Sequence, residues 1–311
     1  RQVLFALGLQ AVASTVLLGL GGWLVVAGEL TLGQLVAAEL IVTIIVRSFA
    51  KFGKHMESFY DLLASVDKLG VLLDISTERQ DGMLAINRTV PATLELNAVS
   101  YSWPNQPEVI ESIDAVIEMG DSVAVLGSAG TGKSTLLEII CGLRIPTAGH
   151  IAVDGFDPRD LRPDVLRSRI AMARGGEVFH ATIEENVHLH REGVTATDVR
   201  DVLSSVGLLD AVLRFKDGCN TMLTSGGAPL PESRRRMLGI ARAAIGRPGL
   251  LLIDSSLDTL GECDLDRCLN FLLDEKRPWT LIVATSRKDI ATRFAKQISL
   301  DIATSSVEAS N

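Results

Sequence analysis

The first fifty residues differ from the rest of the chain in their hydrophobic pattern. Residues 3–28 form a run of about 26 positions without a charge, enough to cross a hydrocarbon layer of roughly 30 Å. A short turn over 29–34 precedes a second apolar stretch, 35–46, after which apolar residues recur every three or four positions to residue 69. This periodicity predicts one long helix. We therefore expect a membrane-spanning helical hairpin whose second helix continues beyond the membrane.

Basic residues predict how this hairpin is oriented. Arg47, Lys51 and Lys54 follow the second stretch, whereas the turn between the stretches carries only Glu29. The positive-inside tendency then places everything after the hairpin on the cytoplasmic side. Glu39 lies within the second stretch, where a charge is costly. It is either a polar contact in a transport path or a carboxylate that packs between helices or near the interface.

The remainder of the chain predicts an α/β domain. After a polar connector over 80–92, short β-rich runs alternate with helical ones. Strands are expected at 93–103, 121–127, 150–155, 249–254 and 280–285, and a helix at 134–143. The last two strands are almost entirely apolar, which suits a sheet that is covered on both faces. The domain boundaries expected are 1–79, 80–92 and 93–311.

One glycine-rich motif carries candidate chemistry. It fits G-x-x-x-x-G-K-[ST] and lies after a predicted strand and before a predicted helix, the context that the motif requires. In this context its backbone N–H groups enclose phosphate oxygens, and the start of the helix favours the same anion. The lysine contacts the outer phosphates and the serine hydroxyl binds Mg²⁺. The predicted phosphate-binding residues are Gly127, Ser128, Ala129, Gly130, Thr131, Gly132, Lys133, Ser134 and Thr135.

A carboxylate at the end of a buried strand completes the predicted metal site. Asp254 follows four apolar residues and lies about 120 positions after the glycine-rich motif. Small GTPases and kinases with this motif place the corresponding Asp nearer, and a guanine-reading N/TKxD element is absent. The spacing therefore favours a domain with a helical insertion, in which Ser134 and Asp254 hold the metal.

These motifs together resemble the C-terminal part of ATP-binding cassette (ABC) exporters. Residues from about Thr93 to Asp301 resemble their nucleotide-binding domain, and residues 1–79 resemble the end of their transmembrane domain. Trp103 occupies the position of the aromatic that stacks on adenine, while 182–187 and 238–243 resemble two further segments of the family. The resemblance implies an α-helical transmembrane hairpin followed by an α/β P-loop NTPase domain of ABC type with a helical subdomain. It also implies ATP and Mg²⁺ as cofactors.

Several positions depart from the family pattern. Ser255 stands at the position of the catalytic Glu, Arg174 at that of the Gln, and Ser286 at that of the His. The signature segment aligns with 230–234, which places Glu232 where the family has glycine, and Gly261 replaces a further Asp. A serine does not act as a carboxylate base. The resemblance therefore implies ATP binding with weak or absent hydrolysis.

Two functions follow from this pattern. The first is the ATP-binding subunit of an exporter-type membrane transporter, which couples nucleotide binding to movement of transmembrane helices. Its expected partner is a second half-transporter subunit, in a heterodimer whose other cassette is more competent. The alternative is a regulatory or scaffolding ATP-binding membrane subunit that transports nothing. In both cases the protein is an integral membrane protein with its nucleotide-binding domain in the cytoplasm, and the chain is expected to be a fragment truncated at both ends.

Composition narrows the function classes further. The formal net charge of −8 and the absence of an extended basic run argue against a nucleic-acid partner. The four cysteines show no metal-ligand spacing, so they are expected to be free thiols of a reducing compartment.

Overall fold

The computed structural model describes residues 2–83, 91–300 and 307–309. Most of the predicted connector, residues 84–90, lies outside the described residues, as does Asp301 at the end of the predicted domain. The chain divides into two compact units, Arg1–Glu78 and Arg79–Asn311.

The first unit consists of two helices. Helix α1 covers Gln2–Val26, and α2 covers Leu32–Leu73, a continuous helix of 42 residues. The second apolar stretch and the periodic segment therefore form one helix, as predicted. Thr31 caps α2 by accepting a hydrogen bond from the Gln34 amide, while the Gln34 side chain bonds back to residue 31, a capping box that satisfies two otherwise unpaired donors.

A polar contact connects the two helices of this unit. The Ser14 hydroxyl donates a hydrogen bond to Glu39 Oε1 over 2.7 Å. This contact supports the helix-packing interpretation of Glu39. None of the helices in the described part of the chain combines the length and the apolar character needed to span a membrane. The membrane hairpin and its orientation remain predictions, and the side chains of Arg47 and Lys54 lie outside the described residues.

The second unit is built around a six-stranded sheet whose strand order is β5-β6-β7-β3-β8-β9. Five strands run parallel, and β9 pairs antiparallel with β8. The strands are β3 (Ser122–Leu126), β5 (Ile170–Arg174), β6 (Leu250–Asp254), β7 (Thr280–Thr285), β8 (Lys296–Ser299) and β9 (Val307–Ala309).

The apolar runs of the sequence become buried central strands. Every residue of β6 and β7 is buried. In β6, Leu250 and Leu252 join one hydrophobic core, whereas Leu251 and Ile253 join the other. Because successive side chains of a strand point to opposite faces, a strand between two cores needs apolar residues at every position. The predicted double-sided burial is confirmed.

A smaller antiparallel sheet lies against one of these cores. Its order is β2-β1-β4, with β1 at Leu94–Ser102, β2 at Glu108–Ile117 and β4 at Ala148–Val153. Helix α3 (Lys133–Ile140) has seven buried residues, and its apolar side chains share one core with residues of both sheets. The helix that begins at the glycine-rich motif is thereby held in place from two sides.

The segment between β5 and β6 contains several helices, so the predicted helical insertion is confirmed. Its side chains contribute most of the second hydrophobic core. The insertion contains α5 (Ile183–His188), α6 (Ala196–Ser205), α7 (Leu209–Val212), a 3-10 turn (Gly218–Asn220) and α8 (Glu232–Ala244). The other helices described in this unit are α4 (Pro163–Arg169), α9 (Glu262–Leu272) and α10 (Lys288–Ala291).

Candidate functional site

The glycine-rich motif forms a loop between β3 and α3. Gly130 and Gly132 have φ angles of +87° and +88°, in the left-handed region that glycine enters without a steric penalty. A side chain at residue 132 would also lie 2.9 Å from Val109 Cγ1 and 3.1 Å from the Val109 carbonyl oxygen. The turn therefore requires glycine at this point for both its conformation and its packing.

Lys133 places its ammonium group within the loop. Its side chain is buried, and Nζ donates hydrogen bonds to the carbonyl oxygens of Gly127 at 2.7 Å and Ser128 at 2.6 Å. The ammonium and the first turn of α3 concentrate positive charge at one point. This combination is suited to holding the outer phosphates of a nucleotide.

Ser134 and Asp254 lie together, as the sequence predicts. The Ser134 hydroxyl donates to Asp254 Oδ1 over 2.9 Å, and the Asp254 side chain is buried at 4% exposure. Asp254 ends β6, and β6 is separated from β3 by β7 alone. The carboxyl ends of these parallel strands therefore bring the two residues to the same edge of the sheet.

Arg174 is paired with the second oxygen of the Asp254 carboxylate. Its Nε lies 3.0 Å from Asp254 Oδ2, because the two residues are register partners at the ends of β5 and β6. Arg174 Nη1 also lies 2.5 Å from Glu138 Oε1 on α3, and the second oxygen of Glu138 is paired with Arg144. A chain of ion pairs thus joins Asp254, Arg174, Glu138 and Arg144.

The charges of this chain stabilise one another. Burial acts to raise the pKa of Glu138, but the hydrogen bonds and charges of Arg144 and Arg174 outweigh it, so the pKa lies below its ordinary value of 4.5. The hydrogen bond to Glu138 raises the pKa of Arg174. Glu138 is therefore an anion and Arg174 a cation at neutral pH.

A metal ion fits the ligand types at this site but does not fit the charges. Hydroxyl and carboxylate oxygens are ligands that Mg²⁺ accepts. However, Oδ1 of Asp254 accepts from Ser134 and Oδ2 is paired with Arg174. A divalent cation held through Asp254 would stand beside the guanidinium and share one of its two carboxylate partners. With Arg174 in this position, the residues do not form a metal site.

The positions that face the loop from β6 and β7 are occupied by hydroxyl groups. Ser255 has a φ of +52°, and its hydroxyl lies 3.4 Å from Asp254 Oδ1. Ser286 donates both its amide, at 2.9 Å, and its hydroxyl, at 2.8 Å, to Asp258 Oδ2. The Thr285 hydroxyl donates to Oδ1 of the same carboxylate over 2.5 Å. Asp258 therefore already accepts three hydrogen bonds.

Sequence reasoning missed Asp258, Glu138 and Arg144. Asp258 lies four positions after Asp254 and lines the same cavity as Lys133, so a second carboxylate soon after the predicted strand was an available signal. Glu138 and Arg144 had no comparable signal, because their role depends on which strands are neighbours in the sheet.

Trp103 lies at the far side of this cavity. The cavity has a volume of about 530 Å³ and is lined by residues of the loop together with Trp103, Ser255, Asp258 and Ser286. The Arg144 guanidinium carbon lies 4.2 Å from the centroid of the Trp103 ring, a cation–π contact that stabilises the ring orientation. Trp103 also lines the cavity and is only partly buried, so part of its ring is accessible to a planar group.

The predicted signature segment lies at the start of α8. Glu232 is the first residue of this helix and forms an ion pair of 2.7 Å with Arg236. The Ser225-Gly226-Gly227 sequence lies in a turn several residues ahead of the helix. This helix therefore presents a carboxylate at its first position. Gly261, the remaining departure, directly precedes α9.

Metal clusters and disulfides are absent from the described part of the second unit. No group of three or more His, Cys, Asp and Glu residues there is arranged to hold a metal ion. The four cysteines are free thiols, as the sequence predicts.

Comparison with known proteins shows which proteins the chain is similar to. Residues 110–257 match the family described as ABC transporter. Alpha-hemolysin translocation ATP-binding protein HlyB from Escherichia coli O6:H1 is 28% identical over 258 residues, which cover 81% of this chain and 36% of that protein. Leukotoxin translocation ATP-binding protein LktB from Mannheimia glucosida is 27% identical with the same coverage. The chain thus spans about a third of the length of these curated relatives.

A solved structure has the same fold. The structure of a bacterial Atm1-family ABC exporter with ATP bound superposes with a TM-score of 0.71 at 21% sequence identity, covering 88% of this chain and 48% of that one.

Proposed function

We propose that the chain contains the nucleotide-binding domain of an ABC exporter and is an ATP-binding subunit that retains nucleotide and hydrolyses it weakly or not at all. The match of residues 110–257 to the ABC transporter family supports this proposal. The observation that carries this proposal is the intact phosphate loop, in which buried Lys133 is fixed by the carbonyls of Gly127 and Ser128. In this proposal the end of a transmembrane domain is formed by residues 1–79. A linker covers 80–92, and the nucleotide-binding domain covers 93–311.

Binding depends on groups that are all present. The loop amides, Lys133 and the start of α3 receive the phosphates, and Trp103 stacks on adenine. Ser134 and Asp254, the predicted metal ligands, are bonded to each other, and Asp254 is also paired with Arg174. The comparison with a structure that has ATP bound supports the fold that positions these groups.

Weak hydrolysis follows from the residues at the catalytic positions. Ser255 has no carboxylate, Ser286 has no imidazole and is tied to Asp258, and Arg174 is paired with Asp254. Loss of a general base reduces a reaction rate by about 10²–10⁴, and loss of contacts made only in the transition state reduces it by about 10²–10³ each. These effects are not additive, but one of them is enough to make turnover slow.

The proposal also includes a partner subunit and a location in a membrane. Glu232 at the start of α8 opposes the approach of a second subunit's phosphates, which favours a heterodimer with a more competent cassette over a homodimer. The uncharged run over 3–28 supports a membrane hairpin, with the nucleotide-binding domain on the cytoplasmic side and nucleotide binding coupled to helix movement.

Two measurements on the full chain test this function. Calorimetry with ATP in Mg²⁺ buffer is expected to detect saturable binding. Phosphate release is expected to be at least about 100-fold slower than in a cassette that carries the catalytic carboxylate. Absence of ATP binding would refute the proposal. Turnover equal to that of such a cassette, and lost in Lys133→Ala, would refute the claim of weak hydrolysis.

A further inference from the structure

Arg174 forms ion pairs with two carboxylates, and one of them is Asp254, the predicted metal ligand. On one side its Nε lies 3.0 Å from Asp254 Oδ2. On the other side its Nη1 lies 2.5 Å from Glu138 Oε1. Glu138 is itself buried and fixed, because Arg144 pairs with its second oxygen. The guanidinium is therefore anchored at both ends by carboxylates.

The surroundings of Asp254 are already balanced in charge. Asp254 is 4% exposed, and a buried carboxylate without a partner is strongly unfavourable. Arg174 provides that partner, and Ser134 provides a hydrogen bond to the other oxygen. A divalent ion that used Asp254 would have to displace the guanidinium or lie beside it, and like charges at such short range repel strongly in a site of low dielectric constant.

The positive charge that phosphates require is nevertheless present. Lys133 lies within the loop, the start of α3 adds its partial charge, and Arg174 pairs with Asp254, the carboxylate that also accepts a hydrogen bond from Ser134. Arginine stays charged at every physiological pH, and its planar donors suit phosphate as well as carboxylate.

We propose that Arg174 replaces the divalent metal at this site, so that the chain binds nucleoside triphosphate equally well with and without Mg²⁺. This inference rests on the proposed function, because it concerns the same nucleotide site. It also gives the substitution at position 174 a role: the arginine removes a catalytic contact and adds the charge that keeps the phosphates bound.

The test compares ATP affinity in Mg²⁺ buffer and in EDTA buffer, measured by calorimetry on the full chain. The wild-type affinities are expected to agree within about threefold. Arg174→Gln returns an amide to this position and frees Asp254, so its affinity is expected to fall by about tenfold or more in EDTA, the size of effect seen when groups around a metal's ligands are altered. Arg174→Lys keeps the cation and is expected to remain within about threefold.

Arg293→Gln is the matched control. Arg293 forms an ion pair with Asp266 in which both side chains are about half exposed, and neither residue lines the nucleotide cavity. Its Mg²⁺ dependence is expected to equal that of wild type. A second readout uses Mn²⁺: the electron paramagnetic resonance spectrum of Mn²⁺-ATP is expected to change on binding to Arg174→Gln, where protein oxygens enter the metal's surroundings, and to change less with wild type.

The outcomes separate this inference from the proposed function. A wild-type affinity that falls tenfold or more in EDTA would overturn the inference and leave ATP binding intact. Failure to bind ATP in either buffer would overturn the proposed function as well. Equal Mg²⁺ dependence of wild type and Arg174→Gln would also count against the role given to Arg174, even if both bind nucleotide.

Discussion

The phosphate loop and the residues around Asp254 border the same cavity, yet their polar groups are used differently. In the loop, Lys133 donates to carbonyl oxygens of the loop itself, which a phosphate can replace. Around Asp254, side chains pair with other side chains: Arg174 with Asp254, and Ser286 with Asp258. If the proposed function is correct, binding and turnover depend on separate segments, and one can be kept while the other is rebuilt.

The two regions are separable for an energetic reason. Ground-state binding uses backbone amides, a lysine and an aromatic face, all of which come from the half of the cavity formed by the loop and β1. Turnover needs groups that stabilise the transition state more than the ground state. In the proposed function those groups would come from the ends of β5, β6 and β7, where this chain has arginine and two serines.

Removal of Lys133 is expected to have the largest effect on the first region. Lys133→Ala loses charge-assisted contacts worth about 1.5–3 kcal/mol, which is about a 10- to 150-fold loss of ATP affinity. Calorimetry measures it, with the exposed Lys216→Ala as control. An unchanged affinity would mean that the loop is not the binding site, and the comparison would fail.

Glu138→Gln tests the second region through its ion pairs. The free energy of unfolding at pH 7 is expected to fall by about 1–3 kcal/mol, because Arg144 and Arg174 lose an ionised partner. The pKa of Glu138 is lowered in the folded chain, so its contribution is complete above pH 4.5 and disappears as the pH falls through that lower value. Denaturant unfolding across this range is therefore expected to show wild type and variant converging at acid pH.

Glu232→Gln is the matched control for this measurement. Glu232 also pairs with an arginine, Arg236, but its side chain is 61% exposed, and exposed pairs contribute about 0.2–1 kcal/mol. Equal losses in the two variants would show that the chain from Asp254 to Arg144 adds nothing beyond an ordinary surface pair.

Trp103→Ala tests the part of the cavity that is proposed to bind adenine. Loss of aromatic stacking is expected to cost about 1 kcal/mol or more of ATP affinity, and Trp103→Phe is expected to restore most of it. Inorganic tripolyphosphate has no base, so its affinity should be the same in all three proteins. A loss for tripolyphosphate as large as that for ATP would place Trp103 in the structure of the loop instead.

The smallest expected effect concerns the rates at which the cysteine thiols are alkylated. Burial raises the pKa of Cys141, directly after α3, and of Cys268 to about 12 each, so neither forms much thiolate at pH 8. Cys263 is exposed and is expected to react first with an alkylating reagent, as followed by mass spectrometry. Rapid modification of Cys141 in the native chain would show that the helix beneath the phosphate loop is loosely packed.

The predicted elements differ in how well the sequence revealed them. Strands β3, β6 and β7 were predicted because they are apolar at nearly every position, and α3 because it follows the glycine-rich motif. Strands β2, β5 and β8 were not predicted. Two of the four apolar residues of β5 are alanines, which are less common in strands, and β2 has exposed polar residues among its buried ones.

The candidate site divides in the same way. The loop, Ser134 and Asp254 were predicted as a group, and the structure brings them together. The ion pair between Arg174 and Asp254 was not predicted, although both residues had been singled out. Nothing in the local pattern indicates that one arginine becomes the register partner of that aspartate.

The sequence by itself determined what each segment is. Glycine, lysine and apolar residues at fixed spacing dictate a phosphate loop and buried strands, because backbone conformation and burial depend on neighbours along the chain. The tertiary structure alone decided which side chains meet. The order β5-β6-β7-β3 sets Arg174 against Asp254 and Asp258 against Ser286, and strand order arises from packing the whole sheet between two cores, which no short segment encodes.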